Sequence, residues 1–287
     1  YFYGVDDQLI LRKDTGYASV KYQYDKQGQR EAIYYYGTDG QPIISSKYHC
    51  AGYKYQYDSR GNEKTMSFVG LDGKLIVRRD LGYAQESYDY DKDGNKKGTA
   101  YLDVEGKPAI WKERGYASYE DIYDANGNWL EGKYYDKGHN LVLRKDTGYA
   151  SIRNEYDDSG QLISQHYYGT GEELVISTKY HCAGFQYAYD ERGNRTSVQY
   201  IGTDGEPMAR SDLGYAQEEY QYDSAGNRIQ TSFLVTEGKP VISKEGGYSI
   251  YESSYDARGN WRESRYYDEG RKLVLRKDTG SAIIRNE

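Results

Sequence analysis

Two histidine–cysteine pairs are the residues of this chain whose types could support metal or redox chemistry. His49-Cys50 and His181-Cys182 lie far apart in the chain, in identical Lys-Tyr-His-Cys-Ala-Gly segments. Two thiols and two imidazoles could form a disulfide between Cys50 and Cys182, or a zinc site, if the fold brought the pairs together. The alternative is two buried thiols that fill space where a tyrosine is absent. We favour the buried thiols and predict neither a bound metal nor a cofactor.

The acidic residues do not have the spacing of a catalytic or calcium site. The segment 91–95, Asp-Lys-Asp-Gly-Asn, is similar to the start of a calcium-binding loop, but no glutamate follows at the spacing that would complete it. We therefore expect a turn there. A glycosidase pair cannot be singled out among acids that recur throughout the chain. The sequence also lacks a nucleophile elbow, a phosphate loop and a dinucleotide fingerprint, so it predicts a non-catalytic protein.

The composition predicts an ordered protein with a thin aromatic core. The chain has 287 residues, of which 37 are tyrosine and only four are proline, and its mean hydropathy is -0.99. Disordered chains are poor in aromatic residues, whereas tyrosine can bury its ring and keep its hydroxyl hydrated. The net charge of -7 argues against a nucleic-acid partner. No run of about 18 apolar residues is present, so no membrane span is predicted.

A repeat of 33 residues determines where the chemistry-bearing residues lie. The dipeptide Tyr-Asp recurs eight times at this spacing, from Tyr24-Asp25 to Tyr255-Asp256, and a glycine follows each aspartate after three residues. Asp and Gly at these positions predict tight turns. The first four turns contain Asp25 and Gly28, Asp58 and Gly61, Asp91 and Gly94, and Asp124 and Gly127. The complete units are 16–48, 49–81, 82–114, 115–147, 148–180, 181–213, 214–246 and 247–279, with partial units at 1–15 and 280–287.

Each unit is predicted to contain three short strands. In the first complete unit, residues 18–24 alternate between apolar and polar types, which is typical of a half-buried strand. The turn at Asp25 leads to a return strand at 30–36, and a second glycine turn at 37–40 leads to a third strand at 42–46. One unit cannot bury its apolar face alone, so neighbouring units must complete the core.

One column of the repeat is aromatic in every copy and should form a ladder along the array. Its members in the complete units are Tyr35, Phe68, Tyr101, Tyr134, Tyr167, Tyr200, Phe233 and Tyr266. The predicted fold is all-β, with tandem 33-residue hairpin or three-strand repeats that form an elongated solenoid or a spiral sheet. Identical segments also recur every fourth repeat, which indicates either duplication of a four-unit block or four units in each superhelical turn.

The repeat core resembles a known family. The segment 55–62, Tyr-Gln-Tyr-Asp-Ser-Arg-Gly-Asn, is similar to the core of YD (RHS-type) repeats, and the same pattern stands at 187–194 and 220–227. The resemblance implies a large secreted or surface protein whose β-hairpins wind into a spiral sheet or shell. The segment 35–40 resembles, more weakly, the cell-wall and glucan-binding repeats of Gram-positive bacteria.

Two functions follow as expectations. The first is an extracellular or cell-surface structural array, such as a stalk, fibre or shell segment of a longer protein, whose partners are neighbouring repeats or further copies of the array. The second is a multivalent module for carbohydrate or cell-wall glycans, in which Trp111, Trp129 and Trp261 would stack on sugar faces.

Overall fold

The computed structural model describes residues 1–286, which form β-strands joined by turns and loops, with no helix. Glu287, the last residue of the predicted partial unit 280–287, lies outside the described residues. The prediction of an all-β fold is confirmed. No helix within residues 1–286 has the length and apolarity that a membrane span requires.

Each complete repeat contributes one hairpin of two strands. The strands are β1 (Ser19–Tyr24), β2 (Arg30–Tyr36), β3 (Gly52–Tyr57), β4 (Glu63–Val69), β5 (Gln85–Tyr90), β6 (Lys96–Leu102), β7 (Ser118–Tyr123), β8 (Trp129–Tyr135), β9 (Ser151–Tyr156), β10 (Leu162–Tyr168), β11 (Gly184–Tyr189), β12 (Arg195–Ile201), β13 (Gln217–Tyr222), β14 (Arg228–Leu234), β15 (Ile250–Tyr255), β16 (Trp261–Tyr267) and β17 (Ile283–Arg285). A Tyr-Asp turn joins the two strands of every hairpin.

The chain divides into two compact units. The first comprises residues 1–123 and 132–146, and the second comprises residues 124–131 and 147–286. In the first compact unit, β1 to β7 pair in chain order as an antiparallel sheet. In the second compact unit, β9 to β17 do the same.

The pairing within a repeat is longer than the pairing between repeats. Within the hairpin β3–β4 the register runs from Gly52↔Val69 to Tyr57↔Glu63, with a bulge beside the turn. Between repeats, β2 and β3 share only the three pairs from Ala32↔Lys54 to Tyr34↔Gly52. The first residue of β2, Arg30, therefore has no partner strand on the side of the next repeat.

Alternation along the strands gives the sheet two chemically different faces. Tyr53 and Tyr55 lie opposite Phe68 and Met66, and together they form part of what we call the aromatic face. The intervening residues, Lys54 and Gln56 on β3, point to the other face because side chains alternate along a strand.

The third predicted strand is reduced to one bridging residue in each repeat. In the first complete repeat, Pro42 bridges to Tyr36, and the Ile43 N–H donates to the Tyr35 carbonyl at 3.0 Å. The backbone then leaves the sheet, since the Ser45 N–H donates to Cys50 O within a loop. We call residues 42–51 and their equivalents the return segment. The prediction of a strand at 42–46 was too long because the hydrophobic run continues after the pairing has stopped.

The core is thin and lies between the aromatic face and the return segments. In the second compact unit it includes Tyr200, Tyr215 and Phe233, with Met208 and Val241 of the return segments packed against them. An alanine at the end of the return segment is almost completely buried in seven repeats, Ser249 takes its place in the eighth, and Ala282 of the final segment is half-buried. The seven buried alanines are Ala18, Ala51, Ala84, Ala117, Ala150, Ala183 and Ala216. The small side chain lets the segment pass close to the strand ends.

Candidate functional site: the junction between repeats

The Tyr-Asp turn is held by its aspartate. The Oδ1 atom of Asp58 accepts hydrogen bonds from the N–H groups of Arg60 and Asn62, both at 2.9 Å. Gly61 has a φ of 87°, which a glycine adopts without strain. The same backbone bonds form in the turns at Asp25, Asp91 and Asp124. Each of these turns has its glycine, Gly28, Gly94 or Gly127, at positive φ.

An asparagine after the glycine strengthens most of these turns. Asn62 Nδ2 donates to Asp58 Oδ2 at 3.0 Å, and this hydrogen bond lowers the pKa of Asp58. Five other aspartates have a lowered pKa for the same primary reason. They are Asp91, Asp124, Asp190, Asp223 and Asp256. These carboxylates are thus committed to the turns as ionised acceptors.

The tyrosine of Tyr-Asp links its repeat to the preceding one. The hydroxyl of Tyr57 donates to the carbonyl of Arg30, 27 residues earlier, at 3.0 Å. That carbonyl lies where the short pairing between repeats leaves the strand without a partner. Equivalent bonds join Tyr90 to Glu63, Tyr156 to Trp129, Tyr189 to Leu162, Tyr222 to Arg195 and Tyr255 to Arg228.

The predicted aromatic ladder is buried, but a second set of rings separates its members. All eight predicted residues are at most 7% exposed. Tyr83 lies between Phe68 and Tyr101, with ring centroids 5.7 and 4.7 Å away, and Tyr116 lies between Tyr101 and Tyr134. In the second compact unit, Tyr149 contacts Tyr167, Tyr215 lies between Tyr200 and Phe233, and Tyr248 lies between Phe233 and Tyr266. The inserted tyrosines come from the loops of the return segments.

The two cysteines occupy places where this inserted tyrosine is missing. Cys50 and Cys182 are free and completely buried, so the possible disulfide between them is not present. In the first compact unit, Tyr53 takes the place of the missing ring, with centroid distances of 6.3 Å to Tyr35 and 5.7 Å to Phe68. Phe185 does the same between Tyr167 and Tyr200 in the second compact unit. Each thiol fills the remaining gap within its own repeat, and burial raises the pKa of Cys182 to about 11.

An arginine covers the ladder in every second repeat. The guanidinium of Arg78 lies 4.9 Å from the ring centroid of Phe68 and forms a two-bond ion pair with Asp80. Arg12, Arg144, Arg210 and Arg276 repeat this arrangement. This row of arginines was not predicted, although Arg-x-Asp recurs in the sequence at a fixed spacing of 66 residues.

The alternate repeats have Ser45, Trp111, Ser177 or Ser243 at the position of the arginine. The hydroxyl of Ser45 donates to the carbonyl of Thr15 in the preceding repeat at 2.6 Å, and Ser177 bonds to Thr147 in the same way. At Ser45 and Ser177, a hydroxyl that binds the preceding repeat therefore stands where the other repeats have an arginine ion pair above the rings.

Two glutamates on the aromatic face are surrounded by phenols. Glu86 accepts hydrogen bonds from the hydroxyls of Tyr83 and Tyr88, at 2.7 and 3.0 Å. Glu218, its equivalent four repeats later, accepts from Tyr200, Tyr215 and Tyr220. Burial, reinforced by the glutamate charge, raises the pKa of each of these tyrosines. The phenols therefore stay protonated as donors.

The three tryptophans predicted to stack on sugars are all half-buried, but their surroundings differ. Trp111 stands at the position of the covering arginine and packs against Tyr101 at 5.2 Å, with the guanidinium of Arg114 over its ring. Trp111 is half-buried in these contacts, and its assignment to sugar stacking stays a prediction. Trp129 is half-buried, and its carbonyl accepts from Asn154 and Tyr156. Trp261 lines an open polar hollow with Asp256, Asn260, Glu263 and Arg285, among others.

The part of the chain that the structure describes contains no candidate metal centre. Within residues 1–286, no group of three or more His, Cys, Asp or Glu side chains could hold a metal ion. A second open hollow lies between the first two Tyr-Asp turns and is lined by Asp25, Gln27, Tyr57 and Arg60, among others.

Comparison with known proteins gives no family. No family model and no curated protein match the chain. Among solved structures, the crystal structure of TcdB2-TccC3 is 14% identical, with a TM-score of 0.32, over 86% of this chain and 14% of that chain. The Photorhabdus luminescens Tc holotoxin pore with TccC3-D651A is 13% identical, with a TM-score of 0.29, over 91% of this chain and 16% of that chain. The chain thus spans less than a fifth of these much longer chains, and the similarity is too low to assign a function.

Proposed function

We propose that the chain is a non-catalytic structural repeat array, which serves as a stalk, fibre or shell segment of a large secreted or surface protein. The observation that carries this proposal is the recurring set of bonds from one repeat to its predecessor. A tyrosine hydroxyl reaches back 27 residues, as from Tyr189 to Leu162. A return-segment amide also bonds to the preceding repeat, as from Ser46 to Thr15. These polar contacts join one repeat to another.

The shifted pKa values also support a structural role. A catalytic nucleophile or base needs a pKa tuned to its working pH. Burial raises the pKa of both thiols. It also raises the pKa of Tyr134 and Tyr187 to about 12. These groups are therefore less reactive near neutral pH. The similarity of residues 55–62 to YD repeats is what favours an extracellular location.

Stretching single molecules tests the mechanical role. The chain is held between two handles and pulled at constant speed. We expect unfolding in steps, because the repeats are joined by many short-range bonds. A step that releases one repeat should lengthen the chain by about 110–120 Å, since each of its 33 residues spans at most ~3.6 Å when extended. Smooth extension without steps at low force would contradict the proposal.

A second candidate is multivalent binding of neutral glycans, and the hollow beside Trp261 is the observation that favours it. Its lining combines an indole with amide, carboxylate and guanidinium groups. Binding to insoluble cell-wall glycan can be compared between the original chain and Trp261→Ala, with Trp111→Phe as a control at a half-buried tryptophan that packs on the ladder. Loss of binding only in Trp261→Ala would favour the glycan module over a purely structural role.

A further inference from the structure

The return segments of neighbouring repeats form a ladder of backbone hydrogen bonds. At six of the eight junctions between repeats, an N–H of one return segment donates to a carbonyl of the preceding return segment. The bonds join Ser46 to Thr15, Lys112 to Leu81, Lys145 to Arg114, Thr178 to Thr147, Lys244 to Leu213, and Lys277 to Gly246, at 2.8–3.1 Å. At four of these junctions the lysine ammonium adds a bond to a carbonyl 33 residues earlier.

A glycine makes each of these six contacts possible. Gly82 has a φ of 88°, and a Cβ atom added to it would lie 2.7 Å from Lys112 Cγ and 2.9 Å from the Ile110 carbonyl oxygen. The equivalent glycines of the other five junctions would bring a Cβ to within 2.6–2.9 Å of the residue that corresponds to Lys112. They are Gly16, Gly115, Gly148, Gly214 and Gly247. Close approach of the next return segment thus requires that no side chain be present here.

The two remaining junctions have a histidine in place of the glycine. His49 and His181 adopt φ values of 54° and 56°, which are strained for a residue with a side chain. At these two junctions alone, within residues 1–286, the backbone bond to the next return segment is absent. The N–H groups of Arg79 and Ser211, which would donate to Tyr48 and Tyr180, have no backbone acceptor in this part of the chain. Across the eight junctions, the backbone bond is present wherever this loop position is glycine and absent wherever it is histidine.

The histidine loops are otherwise packed like their neighbours. The ring of Tyr48 stacks on Tyr35 at 5.6 Å, and Tyr180 stacks on Tyr167 at 5.3 Å. Within the next return segment Arg210 pairs with Asp212, and this ion pair lowers the pKa of Asp212, with a smaller contribution from His181 across the junction. The missing backbone bond is what distinguishes these two junctions from the other six.

We propose that the His49 and His181 loops are joints at which adjacent return segments separate locally, exposing Cys50 and Cys182, while the hairpins remain folded. The joints lie at equivalent positions of the repeat, one in each compact unit. Such joints would let an array bend or extend at defined places without unfolding. This inference does not depend on whether the array is a stalk or a glycan module.

The buried thiols are natural reporters of the opening. Both cysteines are 0% exposed, so a reagent can reach them only after a local or a global opening. The chain is treated with a thiol reagent across a series of low urea concentrations, and labelling of each cysteine is quantified by peptide mass spectrometry. Local opening exposes little surface, so labelling rates should change little with urea below the unfolding transition. Rates that follow global unfolding at every urea concentration would overturn the proposal.

Restoring the glycine should close one joint selectively. In His49→Gly, the missing backbone bond can form, and we expect labelling of Cys50 to slow by about 2- to 12-fold, as the net value of one hydrogen bond indicates. Labelling of Cys182 in the same molecule should not change. Asp7→Gly relieves a similar φ of 59° at a different turn and is the matched control. Equal slowing by both variants, or slowing of both cysteines, would overturn the proposal.

Hydrogen exchange gives a second measurement that needs no variant. The amides of Arg79 and Ser211 should exchange much faster than the bonded amides of Ser46 and Thr178, which occupy the same position in other repeats. Equal protection at all four amides would contradict local opening at the histidine loops.

Discussion

The hydroxyl of Tyr189 donates a hydrogen bond to the carbonyl oxygen of Leu162, 27 residues earlier in the chain, at 2.8 Å. The carbonyl belongs to the first residue of β10, beyond the three pairs that join β10 to β11. The phenol therefore satisfies a backbone acceptor that the sheet leaves unpaired. This relationship explains why the motif has tyrosine. Phenylalanine would supply the same ring but not the hydroxyl that makes the bond.

Removing that hydroxyl should weaken the junction. We expect Tyr189→Phe to lower the free energy of unfolding by about 0.5–1.5 kcal/mol, the net value of a typical hydrogen bond, as measured by urea denaturation. Tyr24→Phe is the matched control. Tyr24 holds the same motif position but is 56% exposed, and its hydroxyl has no hydrogen bond within the described residues. Equal effects of the two variants would refute the role of the phenol.

The turn aspartates should make the fold sensitive to acid. A carboxylate whose pKa is lowered by folding contributes stability above its unfolded pKa of about 3.9, and this contribution is lost as the pH falls through the folded pKa. Asp124, whose pKa is lowered chiefly by the Asn128 side chain, is one of six such groups. We therefore expect the melting temperature to fall steeply below about pH 4.

Asn128→Ala tests the origin of that sensitivity. Without the amide donor, the pKa of Asp124 should rise toward its usual value, which can be followed by NMR titration of its carboxyl carbon. Asn126→Ala is the control in the same turn, because the Asn126 side chain has no hydrogen bond within the described residues. A pKa for Asp124 that is the same in both variants would contradict the assigned cause.

Alkaline pH should destabilise the fold through the buried phenols. Burial raises the pKa of Tyr134, Tyr187 and Tyr248 to about 12. A raised folded pKa means that stability is fully present below the unfolded value of about 10 and is lost as the pH rises from there to about 12. Phenol ionisation, measured by ultraviolet absorbance, should coincide for these groups with loss of the β-sheet circular dichroism signal. Complete ionisation near pH 10 with the sheet intact would contradict this expectation.

The loop glycines should tolerate a methyl group less well than the turn glycines. Gly82 and Gly94 have nearly equal φ values of 88° and 89°, but a Cβ has contacts within 3 Å only at Gly82. Alanine at either position costs about 1–2 kcal/mol for the left-handed conformation. Overpacking should add a further ~1–3 kcal/mol in Gly82→Ala. If urea denaturation gave the same loss of unfolding free energy for Gly82→Ala and Gly94→Ala, close approach of the return segments could not be the reason for glycine at position 82.

The sequence predicted the elements that depend on local chemistry. The turns at Asp25 and Asp58 follow from residues that fit tight φ and ψ angles, and β2 has the bounds 30–36 that were expected. The fixed period identified the buried column that contains Tyr167. These features are visible because the same local requirement is repeated in every unit.

The remaining features depend on which direction a side chain points. The sequence did not show that Trp111 packs on the ladder in the same column as Arg78 and Arg144. The rings inserted between ladder members come from a different segment of the chain, so a column-by-column comparison missed them. The third strand was predicted too long because the hydrophobic run continues past Pro42, whereas the backbone leaves the sheet there.

The bonds between repeats have fixed sequence separations, of 27 residues for the tyrosine hydroxyl and 33 residues for the lysine ammonium. The separation between the return-segment amide and its acceptor is equally constant, from Ser46 and Thr15 to Lys277 and Gly246. A single inserted or deleted residue in one repeat would move all these donors away from their acceptors together. A point substitution disturbs only one of them. Genes for such arrays should therefore change length by gaining or losing whole repeats through unequal recombination, while indels within a repeat are removed by selection.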